Sequence, residues 1–332
     1  MKSKAWKITA AVLLTVVIIL LILVIIGFAI YPYGEKYVVP DDYPFRNWQY
    51  MINDDAKITE IAIPGSHDAA AANIDGSMLS VGTFLLACQN ASIYEQLLCG
   101  SRYFDLRTMI SDGELYGQHG DFKVQKFSTV ISDIKRYLEE EEDFLILNFQ
   151  HFTDDATSEK TYQAIKDELG IERLAVETTA TLGELTVGDM RESGKRLVII
   201  WGRSVIPNQR FLFPKRDEYL YSPYSGNIHS AGDERLIEEF PRYIENSAAF
   251  GGFFNLQCQR TWSSSELLMG PEQLEERFAE KASAYLGSLG GAELAAVNIV
   301  HRDFINVSKC REIISLNYRK GLIKAEYVEK FS

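Results

Sequence analysis

The chain has 332 residues, 46% of them apolar and 24% charged, which is enough to bury a full core and unlike the composition of a disordered segment. A net charge of −12 excludes duplex nucleic acid as a partner, because that affinity rests on Lys and Arg neutralising phosphates. The same acidity argues against broad electrostatic adsorption to anionic lipid.

Lys2, Lys4 and Lys7 precede Ile8–Ile30, a run without charge or proline. At about 1.5 Å of rise per residue the run is long enough to cross a hydrocarbon core of about 30 Å. It also exceeds the apolar stretch of about 7–15 residues in a secretory signal peptide. Residues 8–30 are therefore expected to be a transmembrane anchor behind a cytoplasmic N-terminus, 1–7. A long cleaved signal is the alternative, since Gly27-Phe28-Ala29 offers a small-x-small site. Lysines before the run and Glu35, Asp41 and Asp42 after it favour a single pass with the N-terminus inside and the domain outside the cytoplasm, or secreted after cleavage. In that compartment Cys88, Cys99, Cys258 and Cys310 can form disulfides. Cys88 and Cys99 are close enough in sequence to close a small loop, and four unpaired thiols are the equal alternative. No Cys or His spacing suits a structural zinc.

Residues 31–58 are rich in Pro, Asp, Tyr and Asn and read as a stalk running into a first helix or turn near Trp48–Ile52. No linker or repeat follows, so 59–332 reads as one domain. Strands are predicted at Glu60–Ile63, Tyr103–Arg107, Glu114–Tyr116, Phe144–Phe149, Arg196–Gly202, Tyr219–Ser222, Phe253–Leu256 and Ala295–Val300. Helices are predicted at Val130–Glu140, Ser158–Leu169, Asp233–Asn246, Pro271–Leu286 and Lys309–Tyr318. Phe144–Phe149 is apolar on both faces, as in a parallel strand covered by helices. In Pro271–Leu286 the spacing puts Leu274, Phe278, Ala282 and Tyr285 on one face, and proline suits a first helical position. This alternation indicates an α/β fold, a (β/α)8 TIM-type barrel behind the N-terminal transmembrane helix. A doubly wound open sheet is the alternative, but no Gly-rich phosphate loop follows the first strand.

Barrel enzymes carry their chemistry at the C-terminal ends of strands. Here those ends read Pro64-Gly65-Ser66-His67-Asp68, Asp105-Leu106-Arg107, Gln118-His119-Gly120, Gln150-His151 and His301-Arg302-Asp303. Asp105 and Arg107 are one strand period apart and share a face. Each signal alone is weak, since a lone histidine after a strand is usually a structural hydrogen-bonding group. Together they match phosphodiester cleavage: one imidazole takes a proton from the attacking oxygen, another gives one to the leaving oxygen, and a guanidinium holds the phosphoryl oxygens. Imidazole suits both roles because its ordinary pKa of about 6.5 lies near neutrality.

IAIPGSHDAA followed by GSRYFDLRTMISDGELYGQHGDF resembles the X region of the phosphatidylinositol-specific phospholipase C family, with looser counterparts in LILNFQH and NIVHRDF. The resemblance implies a distorted, incompletely closed barrel. Where the calcium-dependent branch has His-Asn, Glu-x-Asp and a third acidic residue, this chain has His67-Asp68, Asp105-Leu106-Arg107 and Gln150, so it looks like the bacterial, metal-independent type. That likeness implies no metal and no cofactor, an inositol lipid as partner, and lyase chemistry that releases diacylglycerol and inositol 1,2-cyclic phosphate. Residue by residue, it implies His67 as general base oriented by Asp303, Arg107 as phosphate ligand, and His119 as general acid tuned by Asp68. In the substrate site it implies Asp105 fixing Arg107 or the strand mouth, and Arg203 as an inositol-binding arginine, equally well explained as a loop or packing residue. Tyr221, Tyr224 and Asn227 are candidates for the sugar pocket, each equally well explained as a loop or packing residue. The family's acidic inositol ligand has no counterpart that the sequence locates. His151, His229 and His301 read as structural. The rivals are a magnesium-dependent glycerophosphodiester or sphingomyelin phosphodiesterase of the same barrel type, which Arg107 disfavours, and an inactive cell-surface binding module.

Overall fold

In the computed structural model the described residues are 6, 9–19, 21–22, 39–72, 85–202, 209–214, 219–266 and 269–331. They fall in two units, Met1–Glu35 and Lys36–Ser332. The membrane-spanning helix expected over 8–30, and with it the single-pass, N-inside placement, is corrected. Among the described residues no helix is long and apolar enough to cross a membrane. Helix is described at 9–19 and 21–22, and the rest of the span lies outside the described residues. Residues 31–38 are likewise outside the described set, whereas much of 39–58 is packed in rather than extended as a stalk: Phe45, Trp48, Met51, Ile52 and Ile58 are buried. Trp48 there donates its indole N–H to the Gly100 carbonyl at 2.9 Å.

Eight strands of Lys36–Ser332 run parallel: β1 (Ile63–Ser66), β2 (Tyr103–Ser111), β5 (Leu145–Phe152), β6 (Leu197–Trp201), β7 (Leu212–Pro214), β8 (Leu220–Tyr221), β9 (Phe253–Gln257) and β10 (Ile299–Arg302). Their order is β7-β6-β5-β2-β1-β10-β9-β8, so the first and last strands of the chain lie side by side, as closure into a barrel demands. Among the described residues β7 and β8 do not pair. β7 is three residues long and ends on Pro214, which has no N–H to offer a neighbour. Among the described residues the fold is thus an α/β parallel barrel whose β7–β8 seam is unpaired.

The strand β3 (Glu114–His119) leaves the parallel order and folds back antiparallel on β2 through Asp112-Gly113, both with positive φ. Two such residues make the tight turn whose twist matches a hairpin. β4 (Phe122–Lys126) extends the hairpin and leads into α2 (Phe127–Glu140). Phe127, Val130, Ile131, Ile134, Tyr137 and Leu138 form the buried stripe of α2, spaced for one helical face. The preceding helix α1 (Ile93–Cys99) starts on a reciprocal Ser92–Glu95 capping box. Further helices cover the outside: α3 (Asp155–Leu169), α4 (Ile171–Leu174), α5 (Val187–Ser193), α6 (Gly226–His229), α7 (Asp233–Ser247), α8 (Pro271–Ser288), α9 (Gly291–Ala296) and α10 (Val307–Arg319).

Residues in β2 alternate between two environments. Phe104 and Leu106 join α2 in the outer apolar cluster. Tyr103 faces the lumen, among Ile63, Ile146, Val198, Phe253 and Ile299. Above this apolar layer lies a buried polar one. The Tyr103 hydroxyl accepts from Asn148 Nδ2 at 2.8 Å, and Asn255 Nδ2 lies 3.1 Å from His301 Nδ1. The mouth above it carries the charges. β1 reaches further than its predicted end at Ile63 because Gly65 lets three strands crowd together. A Cβ there would come within 2.9 Å of both His301 Cβ and Tyr103 Cδ1.

Candidate active site

His67 and Asp68 follow directly on β1, Arg107 lies in the second half of β2, His119 ends β3 and Asp303 follows β10. Period-two alternation puts Asp105 and Arg107 on the lumen side, and the hairpin turn brings His119 back over them. All five sequence-nominated catalytic residues therefore meet in one cluster.

His67 Nδ1 lies 2.7 Å from Asp303 Oδ1. A carboxylate only accepts, so Nδ1 carries the proton and Nε2 offers its lone pair to the cleft. Arg107 Nη2 sits 3.2 Å from that Nε2 and 2.8 Å from Asp105 Oδ2, while Arg107 Nε lies 2.7 Å from Asp68 Oδ1. Two buried carboxylates thus fix one face of the guanidinium, and among the described residues nothing bonds Nη1. Arg107 also borders a cleft of about 220 Å³ with Gln118, Gly120, Asp121, Gln150 and His151. On its other side Asp68 Oδ2 stands 3.7 Å from Nε2 of both His67 and His119. His119 donates its Nδ1 proton to the Leu86 carbonyl at 2.7 Å, leaving Nε2 toward the cluster.

Electrostatics follow from this geometry. Burial works against a charged His67, but Asp303 and then Asp68 outweigh it, and Arg107 opposes them; the net pKa lies above the ordinary 6.5. Asp105 is fully buried, yet the Arg107 guanidinium beside it holds its carboxyl well below the usual carboxylate range. His301, deep in the lumen and hemmed by Asn255 and Gln259, is driven well below 6.5 by burial and by the nearby His67 charge.

Backbone strain marks the same place. Asp68 has φ of 40° and Phe304, next to Asp303, has φ of 47°, a conformation that side-chain-bearing residues seldom hold unless the surroundings impose it. The imposing contacts come from residues that sequence reasoning missed. Gln89 Nε2 donates to the carbonyls of His67 at 2.8 Å and Arg302 at 3.2 Å, and its Oε1 accepts from Ile305 N at 2.9 Å. Lys309 Nζ donates to the Asp303 and Phe304 carbonyls at 2.8 and 3.0 Å. Cys88 is buried beside His119, with Sγ 3.8 Å from Nδ1. All four cysteines are free and buried, so no Cys88–Cys99 loop forms.

The nominated substrate residues are more dispersed. Asp105 is buried against Arg107. Tyr221, in β8, packs its ring on Phe254 with centroids 5.8 Å apart, and the exposed Tyr224 shares a 3.0 Å hydroxyl contact with Thr261. Arg203 lies outside the described residues.

No family model matches the chain. It is 26% identical over 311 residues to PI-PLC X domain-containing protein 3 of Bos taurus, covering 82% of this chain and 94% of that one. Its fold is similar to that of a phosphatidylinositol-specific phospholipase C from Listeria monocytogenes, with a TM-score of 0.64 and 19% identity over 82% of this chain and 98% of the other. A Staphylococcus aureus phosphatidylinositol-specific phospholipase C gives a TM-score of 0.60 and 15% identity over 81% and 95%. The likeness to the X-domain family is thus supported by sequence relatives and by the fold. The named sequence relative is an animal protein, and the two named structures are bacterial.

Proposed function

We propose that this chain is a phosphodiesterase that cleaves phosphatidylinositol, or a related inositol phosphodiester, at a lipid surface without a metal ion. One observation carries the reading: Arg107 lies 3.2 Å from the His67 imidazole, which Asp303 holds at 2.7 Å, and is paired at 2.7 Å with Asp68, which faces His119 at 3.7 Å. In this reading His67 Nε2 removes the proton of the inositol 2-hydroxyl, whose oxygen attacks the neighbouring phosphorus. The attack is intramolecular, which lowers the entropic part of the barrier. Arg107 holds the phosphoryl oxygens through the donors that Asp68 and Asp105 leave free, and offsets charge as the transition state forms. His119, protonated at Nε2, passes that proton to the diacylglycerol oxygen as the P–O bond breaks. Asp68 steadies the positive imidazole, and Asp303 does the same for His67 once it has taken its proton. The products are diacylglycerol and inositol 1,2-cyclic phosphate. Metal independence is supported by the donor set: calcium takes several hard oxygens, whereas a guanidinium at Arg107 and a neutral amide at Gln150 occupy the mouth.

Phosphorus NMR of phosphatidylinositol vesicles treated with the full chain in EDTA tests the reading. A cyclic phosphodiester resonance is expected from the native chain, with rates lower by about 10²–10⁴ in His67→Ala and His119→Ala. Activity that needs added Ca²⁺ or Mg²⁺, or product that is never cyclic, overturns it.

A further inference from the structure

Cys88 has no part in the proposed reaction, yet it stands where the two histidine–carboxylate pairs meet. One ligand atom from each of Asp68, Cys88 and His119 lies within 4.8 Å of the others. Three features of this triad point to a ligand. Among the described residues Asp68 Oδ2 is buried without a hydrogen-bond partner. It faces His119 Nε2 across 3.7 Å, close to the edge of about 3.4 Å expected between ligands bound at about 2.1 Å in a tetrahedral site. His119 already donates its other N–H to a backbone carbonyl, the outer contact that orients most metal-binding imidazoles. The neighbouring triad, His67, Cys88 and Asp303, is also compact, but there the imidazole and carboxylate are bonded to each other at 2.7 Å.

We infer that Asp68, Cys88 and His119 form a site for a thiophilic divalent cation of the zinc class, and that occupancy switches the catalytic centre off. A thiolate, an imidazole and a carboxylate are a donor set that zinc favours and that calcium and magnesium do not. Binding exchanges the Cys88 S–H bond for an S–metal bond, and the proton leaves to solvent. The thiolate and Asp68 together balance the two positive charges of the ion, while Arg107 stays paired with Asp105. The ion would occupy the Nε2 lone pair on which the leaving-group proton travels, so bound cation and turnover exclude each other. Sequence spacing hides the site because its ligands come from β1, the loop before α1 and the end of β3.

Cobalt titration of the full chain tests the site without reference to activity. A near-ultraviolet thiolate-to-cobalt absorption is expected in the native chain, displaced by zinc, retained in Cys258→Ser and lost in both Cys88→Ser and Cys88→Ala, whose thermal unfolding is recorded alongside. Absence of the band in the native chain, or its persistence in a folded Cys88 variant, overturns the inference. The inhibitory half rests on the proposed phosphodiesterase activity. Zinc should stop lipid cleavage and EDTA restore it, whereas Cys88→Ser, measured against its own zinc-free rate, should need about 100-fold more zinc for the same fractional inhibition. Equal zinc sensitivity of Cys88→Ser and the native chain defeats the switch. A chain that binds cobalt but cleaves no lipid leaves the site standing and removes only the phosphodiesterase reading.

Discussion

Two arginines, one just before β2 and one at its middle, show how position decides what a guanidinium does. Arg102 immediately precedes β2 and is fully buried. Its Nε and Nη2 reach Asp143 Oδ2 at 2.9 and 2.8 Å, Nη1 donates to the Leu97 and Ser101 carbonyls, and Nη2 also donates to the Arg46 carbonyl. Every polar hydrogen has a destination within the fold. Arg107, five positions later, is held as firmly by Asp68 and Asp105 but keeps an edge toward the cleft. The first arginine knits the start of β2 to Arg46, to α1 and to Asp143 just before β5. The second is braced by two carboxylates with one edge left toward a cleft.

The widest separation between the two should come from Arg102→Met. Removing one partner of a buried pair strands the other, so stability should fall by about 3–5 kcal/mol. Turnover per folded molecule should be unchanged, and denaturant titration paired with lipid hydrolysis checks both. Arg107→Lys should do the reverse. The charge stays near Asp68 and Asp105, so the unfolding midpoint should move little, but the planar fork is gone. A loss of about 10²–10³ in kcat is expected. If Arg107→Lys unfolds the protein and Arg102→Met silences it while folded, the assignment of the two arginines is inverted.

The same contrast explains what the sequence let one read. His67, Asp68, Arg107, His119 and Asp303 were legible because strand periodicity and the rule of strand ends locate groups within a few positions of a regular element. Gln89, Cys88 and Lys309 were not, because they act across the chain: Gln89 comes from an aperiodic stretch before α1 and meets β1 and β10 only in the folded state. The start of β1 was placed too early since Pro64-Gly65 looks like a breaker. Only the crowding of His301 and Tyr103 around Gly65 reveals why a glycine belongs in that strand. β7 escaped notice because three residues carry no period. The apolar run at 8–30 misled in the other direction, because hydropathy reports composition alone, and among the described residues no helix is long and apolar enough to cross a membrane.

Asp303→Asn tests whether the mouth is tuned by charge. Burial alone would depress the His67 pKa; Asp303 and Asp68 raise it above 6.5. As base, His67 must be neutral, so the acid limb of kcat/KM in the native chain should lie above 6.5. In Asp303→Asn that limb should move to lower pH while the plateau drops by about 10²-fold, because a correctly placed base is lost. Stability carries the same signature with a defined sign. A raised folded pKa adds stability that is full below 6.5 and fades as pH rises through the raised value. The deficit of Asp303→Asn should therefore be largest in acid and shrink toward alkaline pH.

The smallest effect expected is that of Gln89→Ala, and it bears on why both strained residues sit at the mouth. The Gln89 amide ties the carbonyl of His67 to that of Arg302 and accepts from Ile305, so one side chain sets the spacing between the ends of β1 and β10. Those ends carry His67, the proposed base, and Asp303 bonded to it, and next to them Asp68 and Phe304 are held at positive φ. Without the amide, buried carbonyls lose a donor at a cost of about 1–3 kcal/mol. The His67–Asp303 distance is then no longer imposed, which should lower kcat by about tenfold with KM unchanged. The acid limb should shift down as well, since a looser Asp303 raises the His67 pKa less. Gln89→Glu keeps the acceptor for Ile305 and loses the donor, so it separates the two halves of the clamp. If the donor to His67 and Arg302 is what matters, Gln89→Glu should behave like Gln89→Ala in its pH profile. A merely structural role would lower stability in both variants and leave the acid limb where it is in the native chain.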